Sequence, residues 1–371
     1  MNKKGKNKYY TLNNLLKYDC QYYMAFGKRS NGKSYSVLEY GLKKYLDTGE
    51  QTAIVRRNDI DFIGKRGQQM FSNLECNGEG ENVVAKLSKG KWEGIYYYSS
   101  RWWLYRIEDD KKVVDDTPFC YGFALTGQEH DKSTSYPRVT TILFDEFLSR
   151  NGYLPDEFII LMNTISTIIR KRNNVKIFMM GNTISQYCPY FTEMGLTHVK
   201  RMKQGEIEIY TYGQSGLRVA VEYAPQTDDG KDGGSSAYFA FDNPKLNMIT
   251  NGSWELAIYP HCPCKFKPKE ILFTYFIVFD GDILQCEIVQ HDDVYFTFIH
   301  RKTTELKNPD EDLIFSPEIS ARRNWVRKIN KPFSPLTNSI AQFFREDKVF
   351  YSDNEVGEIV HNYLLWCGRL N

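Results

Sequence analysis

No stretch of this sequence is apolar for long enough to cross a bilayer: the longest run of note, Phe273 to Phe279, falls far short of the ~20 residues a spanning helix needs. The N-terminal region shows no apolar leader, and the eight cysteines form no repeated C-x-x-C pairs. Both absences argue for a reducing compartment with free thiols, without membrane association. Charge of one sign is not in excess either. Lys and Arg number 48 against 46 acidic residues, a net charge of +2, so contact with a polyanion must come from local patches and not from a global field. Internal repeats are absent, and so is low complexity outside one short segment. What the chain does have is length, 371 residues, and 15% aromatics. That suits two domains with large packed cores and some aromatic surface left over.

The most specific pattern is GKRSNGKS, Gly27 to Ser34, which fits G-x-x-x-x-G-K-[ST]. Its context fits as well. CQYYMAF (Cys20 to Phe26) suits a buried strand, and Val37, Leu38, Gly41, Leu42, Tyr45 and Leu46 recur at helical spacing, so the loop lies between a strand and a helix N-terminus. Glycines at 27 and 32 let the backbone of Lys28, Arg29, Ser30 and Asn31 wrap an anion. Lys33 reaches the β/γ oxygens of a triphosphate such as ATP, and Ser34 offers a hydroxyl to Mg²⁺.

A second run, VTTILFDEF (Val139 to Phe147), is β-branched and ends in two carboxylates. A buried strand of this kind delivers them at its C-terminal edge, where open α/β sheets bind ligands. Asp145 is then the expected metal residue. Glu146, turned away from the metal, is the expected general base; two solvated acids at a strand end are the alternative. VKIFMM (Val175 to Met180) is a third strand, running into Gly181 and Asn182, and would lie beside one of the two motif strands. There the Asn182 amide would approach the γ-phosphate. TAIVRR (Thr52 to Arg57) is a further strand. The order loop, helix, strand, insertion, carboxylate strand, helix, strand predicts an α/β fold of the RecA-like additional-strand (ASCE) P-loop type.

Together the loop at 27, ILFDEF at 142 to 147, a helical segment with paired arginines and a strand ending MMGN resemble the DNA-packaging ATPases of small short-tailed bacteriophages. These terminase-like motors work with prohead RNA. The resemblance covers the first ~225 residues by motif and the rest by architecture only. It implies an ATP-driven homo-oligomeric ring, a pentamer, in the host cytoplasm. That ring would sit at the portal of a procapsid and thread double-stranded DNA inward. It further implies a cation supplied by the neighbouring subunit. Candidates are Arg170 and Arg172, at the end of the predicted helix Leu161 to Arg172, and Lys132 in GQEHDKSTS; Arg suits the role because guanidinium stays charged and donates in pairs. A ring helicase or conjugative translocase would share these motifs, and a non-hydrolysing ATP-binding adaptor is the other class of alternative.

Outside the motifs, GIYYYSSRWWLYRI (Gly94 to Ile107) predicts an aromatic hairpin around Ser99-Ser100, used for cross-strand packing or for clamping nucleic acid. Glu206–Tyr212 and Leu217–Tyr223 predict a lid or edge hairpin. QTDDGKDGGSS (Gln226 to Ser236) reads as a linker. The predicted organisation is therefore an ATPase domain at 1–225, a linker at 226–240, and a nucleic-acid-binding domain at 241–371. In that last domain, strands at 273–279, 283–289 and 294–300 precede a helix at 354–367 capped by Asp353. An RNase H-like layer is expected, as a vestigial nuclease: the first strand has no acid, and Asp280 and Asp282 occupy a turn. His261-Cys262-Pro263-Cys264 reads as a loop with free thiols. ARRNWVRK (Ala321 to Lys328) is either a nucleic-acid contact or a solvated helix face.

Overall fold

The computed structural model describes residues 9–127, 135–150, 152–225, 254 and 257–368. The chain divides into two compact units, Met1–Ser149 with Leu154–Trp254, and Arg150–Tyr153 with Glu255–Asn371. Unit 1 contains strands β1 (Tyr22–Gly27), β2 (Gln51–Arg56), β3 (Gly94–Tyr98), β4 (Arg101–Glu108), β5 (Lys111–Val114), β6 (Cys120–Ala124), β7 (Val139–Asp145), β8 (Lys176–Asn182), β9 (Ile207–Tyr212) and β10 (Leu217–Tyr223). Its helices are α1 (Lys33–Thr48), α2 (Lys65–Gln69), α3 (Ser72–Glu75), α4 (Val83–Leu87), α5 (Glu157–Ile169) and α6 (Pro189–Glu193).

These strands form one sheet in the order β3-β4-β6-β2-β7-β8-β1-β10-β9, with β5 on β4. From β6 to β10 every neighbour is parallel. The sequence explains which strands are central. All six residues of β1 are buried, and in β7 only Thr140 and Asp145 are not fully so; such continuous burial requires cover on both faces. β8 lies beside both motif strands, between β1 and β7. That separation is the additional-strand arrangement of ASCE ATPases. It also puts the ends of β1, β8 and β7 on one edge, with Gly27 opposite Asn182 and Met180 opposite Asp145.

The 206–223 segment forms the edge hairpin expected from sequence, two antiparallel strands at one end of the sheet. Its first strand, β9, is an edge, but β10 lies parallel to β1 as an interior strand. Val219, Ala220 and Val221 are all fully buried, and consecutive buried residues need two covered faces. The helix expected to run to Arg172 stops at Ile169, because Arg170 and Lys171 both take left-handed backbone angles (φ 43° and 67°). The aromatic hairpin forms around Ser99 and Ser100, both left-handed (φ 47° and 57°), as a two-residue hairpin turn requires. Its aromatics are chiefly structural. Trp102 is fully buried and its indole N–H donates to the Gly67 carbonyl at 2.9 Å, while Lys112 lies 4.1 Å over the Tyr105 ring and Arg106 5.1 Å over Trp92.

Unit 2 is built on strands β11 (Ile271–Phe279), β12 (Asp282–His291), β13 (Val294–Arg301), β14 (Ile314–Phe315), β15 (Trp325–Val326) and β16 (Val349–Tyr351), with α7 (Pro335–Arg345) and α8 (Asn354–Cys367). The sheet order is β15-β14-β11-β12-β13-β16. The first three strands are antiparallel and the next two run parallel to the first, which is the RNase H-like arrangement. Asp353 caps α8 by accepting from the Val356 N–H at 2.9 Å. Asp282 pairs with Arg301, so this turn acid supports the sheet. Cys262 and Cys264 are free thiols. The 321–328 segment is not a helix: it contains β15, and Arg327 and Lys328 lie 5.4 and 5.2 Å over the Trp366 ring.

One buried network ties the carboxylate end of unit 1 together. Glu157, whose side chain is 0% exposed, opens α5 and accepts two hydrogen bonds from Arg57 at 2.8 Å, one from the Tyr190 hydroxyl at 2.5 Å and one from the Leu154 N–H at 2.7 Å. Arg57 also donates to the carbonyls of Phe147 (3.1 Å) and Glu146 (3.4 Å). Glu157→Ala removes the buried carboxylate that pairs with the largely buried Arg57 guanidinium, so a loss of about 3–5 kcal/mol is expected by denaturant unfolding. Tyr190→Phe is expected to lose about 1–3 kcal/mol. A loss below about 1 kcal/mol in Glu157→Ala would show that the network does not hold this region.

Candidate nucleotide site

The 27–34 loop connects β1 to α1. Gly27 is closely packed: a Cβ there would lie 3.0 Å from the Cβ of Ala224. Gly32 (φ 93°) and Ser30 (φ 56°) supply the left-handed turns that curl the loop. Gly32 is also the N-cap of α1, and it offers no side-chain acceptor to the helix, whose first turn carries no acid. The first-turn N–H groups and the positive end of a 16-residue helix are thereby left to face an anion.

Lys33 is 5% exposed. Its ammonium donates to the Lys28 carbonyl at 2.7 Å, to Asn31 Oδ1 at 3.0 Å and to Asn182 Oδ1 at 3.5 Å. Burial pushes its pKa down to about 7, against the opposing pull of Asp145. Beside it the Asn31 side-chain Nδ2 is buried with no hydrogen-bond partner. A buried ammonium, an orphaned donor and a helix N-terminus converge on a cleft of about 690 Å³ lined by Arg29, Lys33, Ser34, Asp145, Glu146 and Asn182 among others. An anion would offset the charge of the first, accept from the second and face the positive end of the third, so the residues present fit a polyphosphate.

Asp145 ends β7. It accepts from the Ser34 hydroxyl at 2.5 Å and from Arg56 Nη2 at 2.9 Å. Burial raises its pKa, while Arg56 and Ser34 pull the other way. A hydroxyl and a carboxylate in direct contact form the oxygen donor pair that suits a hard divalent cation. Glu146 follows with a left-handed backbone (φ 58°) and an exposed carboxylate, 2.6 Å from Arg56 Nη1. Arg56 thus bridges both acids.

Most of the residues singled out from sequence can now be placed. Gly27, Asn31, Gly32, Lys33, Ser34, Asp145, Glu146 and Asn182 converge on one sheet edge, as do Ser30 and Arg29. Of the two basic loop residues it is Arg29 that lines the cleft, while Lys28 contributes its carbonyl to Lys33. Arg172 is committed elsewhere. Its guanidinium donates to the carbonyls of Val139 (2.6 Å), Ile168 (2.9 Å), Tyr136 (3.0 Å) and Ile169 (3.0 Å), fastening the end of α5 to the start of β7. Arg170 is exposed in the turn after α5. Lys132 and the 226–240 segment lie outside the described residues. Arg56 and Arg57 were legible only as the end of a strand. The usable signal was two cations closing an otherwise apolar run, but their targets depend on the β2–β7 pairing, which sets Val55 opposite Phe144.

The lowered pKa of Lys33 generates a prediction about protons. With a pKa of about 7, Lys33 is largely neutral at pH 8, and a bound triphosphate favours its charged form. Binding at pH 8 should therefore take up about one proton. Calorimetric titration in buffers of different ionisation enthalpy measures this, and Lys33→Met should abolish it. Without ligand the folded pKa lies below the ordinary 10.5. The unfolded chain then holds the extra proton between pH 7 and 10.5, so the contribution of Lys33 to stability rises with pH across that window. A buffer-independent binding enthalpy would contradict the assignment.

Comparison with known proteins bears on the chain's relatives and fold. Residues 105–209, which include β7, α5 and β8, match the family model described as Podovirus DNA encapsidation protein (Gp16). The DNA packaging protein of Bacillus phage B103 is 26% identical over 185 residues, covering 49% of this chain and 50% of that one; the match thus spans about half the length of the curated relatives. Among solved structures, the Phi-28 gp11 DNA packaging motor aligns with a TM-score of 0.53 at 18% identity over 98% of this chain and 99% of that one. The bacteriophage Phi-29 viral genome packaging motor assembly aligns with a TM-score of 0.56 at 18% identity, over 96% and 98%. In sequence over about half its length, and in fold over nearly its whole length, the chain is similar to phage DNA-packaging proteins.

Proposed function

We propose that this chain is an ATP-hydrolysing motor that drives double-stranded viral DNA into a procapsid. The observation that carries the reading is the convergence of Lys33, Ser34, Asp145 and Glu146 on the C-terminal edge of a sheet in additional-strand order. The packaging-protein relatives support DNA in a capsid as the cargo. In this reading Lys33 and the loop N–H groups neutralise and orient the β/γ-phosphates. When bound, Mg²⁺ would be held by Ser34 and Asp145 and would offset charge on the phosphoryl oxygens. Glu146 accepts the proton of the attacking water, and Arg56 fixes the direction of both carboxylates. Asn182, already within reach of Lys33, registers the change at the γ-phosphate.

A ring completes the site. Arg170 is the proposed trans-acting residue, because it is exposed in a turn while Arg172 is occupied by four main-chain carbonyls of its own subunit. Unit 2 is proposed to contact nucleic acid without cutting it. Its first strand, β11, carries no carboxylate, and a two-metal nuclease needs several converging acids. Prohead RNA, the portal and a homo-oligomeric ring are the partners this function implies.

Two experiments test the proposal. Glu146→Gln should retain ATP affinity and lose at least ~100-fold in turnover, since it alters proton acceptance and not phosphate binding; paired titration and phosphate release decide, and equal loss of both would exclude a base role. Arg170→Ala has an intact loop and Lys33→Ala an intact arginine. Mixed in assembled rings, they should recover hydrolysis that neither shows alone, because an arginine finger supplies ~10³-fold or more. No recovery in verified mixed rings would place the finger elsewhere.

A further inference from the structure

The phosphate loop is held from outside as well as from within, and Asn31 is where the two meet. Its Oδ1 accepts from Lys33 Nζ at 3.0 Å and from the Lys33 N–H at 3.4 Å, and its Nδ2 is the buried donor without a partner. Where Asn31 sits therefore decides where the ammonium sits. The Asn31 carbonyl in turn accepts from the Tyr10 N–H at 2.8 Å. Tyr10 is itself buried, and it reaches the sheet through its other end: the hydroxyl donates to Glu222 Oε2 at 2.5 Å. Glu222 is 1% exposed and lies in β10, in register with Ala25 of β1 and Ile207 of β9. Leu12 and Leu15, both buried, keep the segment after Tyr10 in the core. A path of direct contacts thus runs from Glu222 through Tyr10 and Asn31 to Lys33, with an interior strand at one end and the buried ammonium at the other.

A carboxylate in the middle of a strand weakens the core that surrounds it. Burial raises the pKa of Glu222 while the Tyr10 hydroxyl pulls the other way, and an apolar side chain of the same shape would avoid the desolvation altogether. What the carboxylate supplies is direction. A hydroxyl donated to a carboxyl oxygen is among the stronger hydrogen bonds, and it fixes the ring of Tyr10 and with it the backbone N–H that holds Asn31. We propose that Tyr10 and Glu222 are positioning residues for phosphate binding, a strap that presets Asn31, and through it Lys33, in the arrangement that receives a polyphosphate. Neither residue lines the cleft, so the strap acts through Asn31 alone. By ordering the loop before the ligand arrives it lowers the entropy lost on binding, and its contribution falls on affinity and not on the chemical step. The inference rests on the nucleotide reading of the loop.

The test is titration calorimetry on the full chain with inorganic tripolyphosphate and ADP, run beside thermal unfolding. Tyr10→Phe keeps the ring and the backbone N–H but removes the hydroxyl. It should weaken both ligands alike, by roughly 5- to 50-fold, part of what a hydrogen bond to a charged group supplies. Glu222→Gln retains an acceptor for the hydroxyl and should bind both ligands within about threefold of the wild type. The double variant Tyr10→Phe/Glu222→Leu replaces both partners by apolar groups, so it should unfold close to the wild-type temperature. It should nevertheless bind as weakly as Tyr10→Phe, and no more weakly, because the two changes remove one contact. In ATP turnover the loss should appear in KM, with kcat within about twofold. A double variant that unfolds like the wild type and binds tripolyphosphate with wild-type affinity would mean that the pair only fills the core, and would overturn the strap. Glu222→Gln binding as weakly as the double variant, or a loss confined to kcat, would overturn it as well. A wild type that binds neither ligand would overturn the nucleotide reading itself, which separates that failure from failure of the strap.

Discussion

Two adjacent guanidinium groups at the end of β2 set the geometry on which the rest of the site depends. Successive strand residues point to opposite faces of a sheet, so Arg56 turns toward Asp145 and Glu146 while Arg57 turns toward Glu157 and Tyr190. One arginine positions the carboxylates; its neighbour holds the carbonyls of Glu146 and Phe147, the backbone that carries them. Neither role is strongly stabilising on balance, because ion pairs removed from water give up much of their Coulomb gain to desolvation. What they fix is direction. Glu146 takes a left-handed backbone that costs a non-glycine residue roughly 1–2 kcal/mol, and the Arg57 hydrogen bonds supply a reason for it to persist.

The phosphate side shows the opposite economy. Lys33 is buried among neutral oxygens, with a pKa displaced far from the ordinary lysine range, and Asn31 keeps a donor without a partner. Unsatisfied polar capacity of this kind weakens the ligand-free fold. It is the same capacity that an anion would satisfy, so affinity and instability have one source here.

How much was legible in the sequence follows from which information is local. The loop, the carboxylate strand and the strand ending in Asn182 each announce themselves within about ten residues, and they imply a common sheet edge as soon as the strands are parallel. The second unit's strands and the Asp353 cap were legible for the same reason. Arg56 and Arg57 were not, because their partners lie far along the chain and are fixed only by strand pairing. Arg172 shows a subtler failure: charge at a helix end was readable, but four carbonyls waiting to accept from it were not. For the 206–223 pair, alternation gave two strands without saying that β10 continues the parallel sheet beside β1.

The position of β1 has a consequence for how the molecule is made. It is the first strand of unit 1, yet its two neighbours, β8 and β10, are the eighth and tenth. Lys176 on β8 meets the Tyr23 hydroxyl across a separation of 153 residues, and Tyr10 meets Glu222 across 212. At a synthesis rate of ~5–20 residues per second, β1 waits roughly 8–30 s for its first neighbour to be translated. Through that interval a six-residue apolar strand and the loop it carries have no sheet to join. The phosphate-binding end of unit 1 is therefore encoded early, yet its strand gains its sheet neighbours only after β8 and β10 have been made.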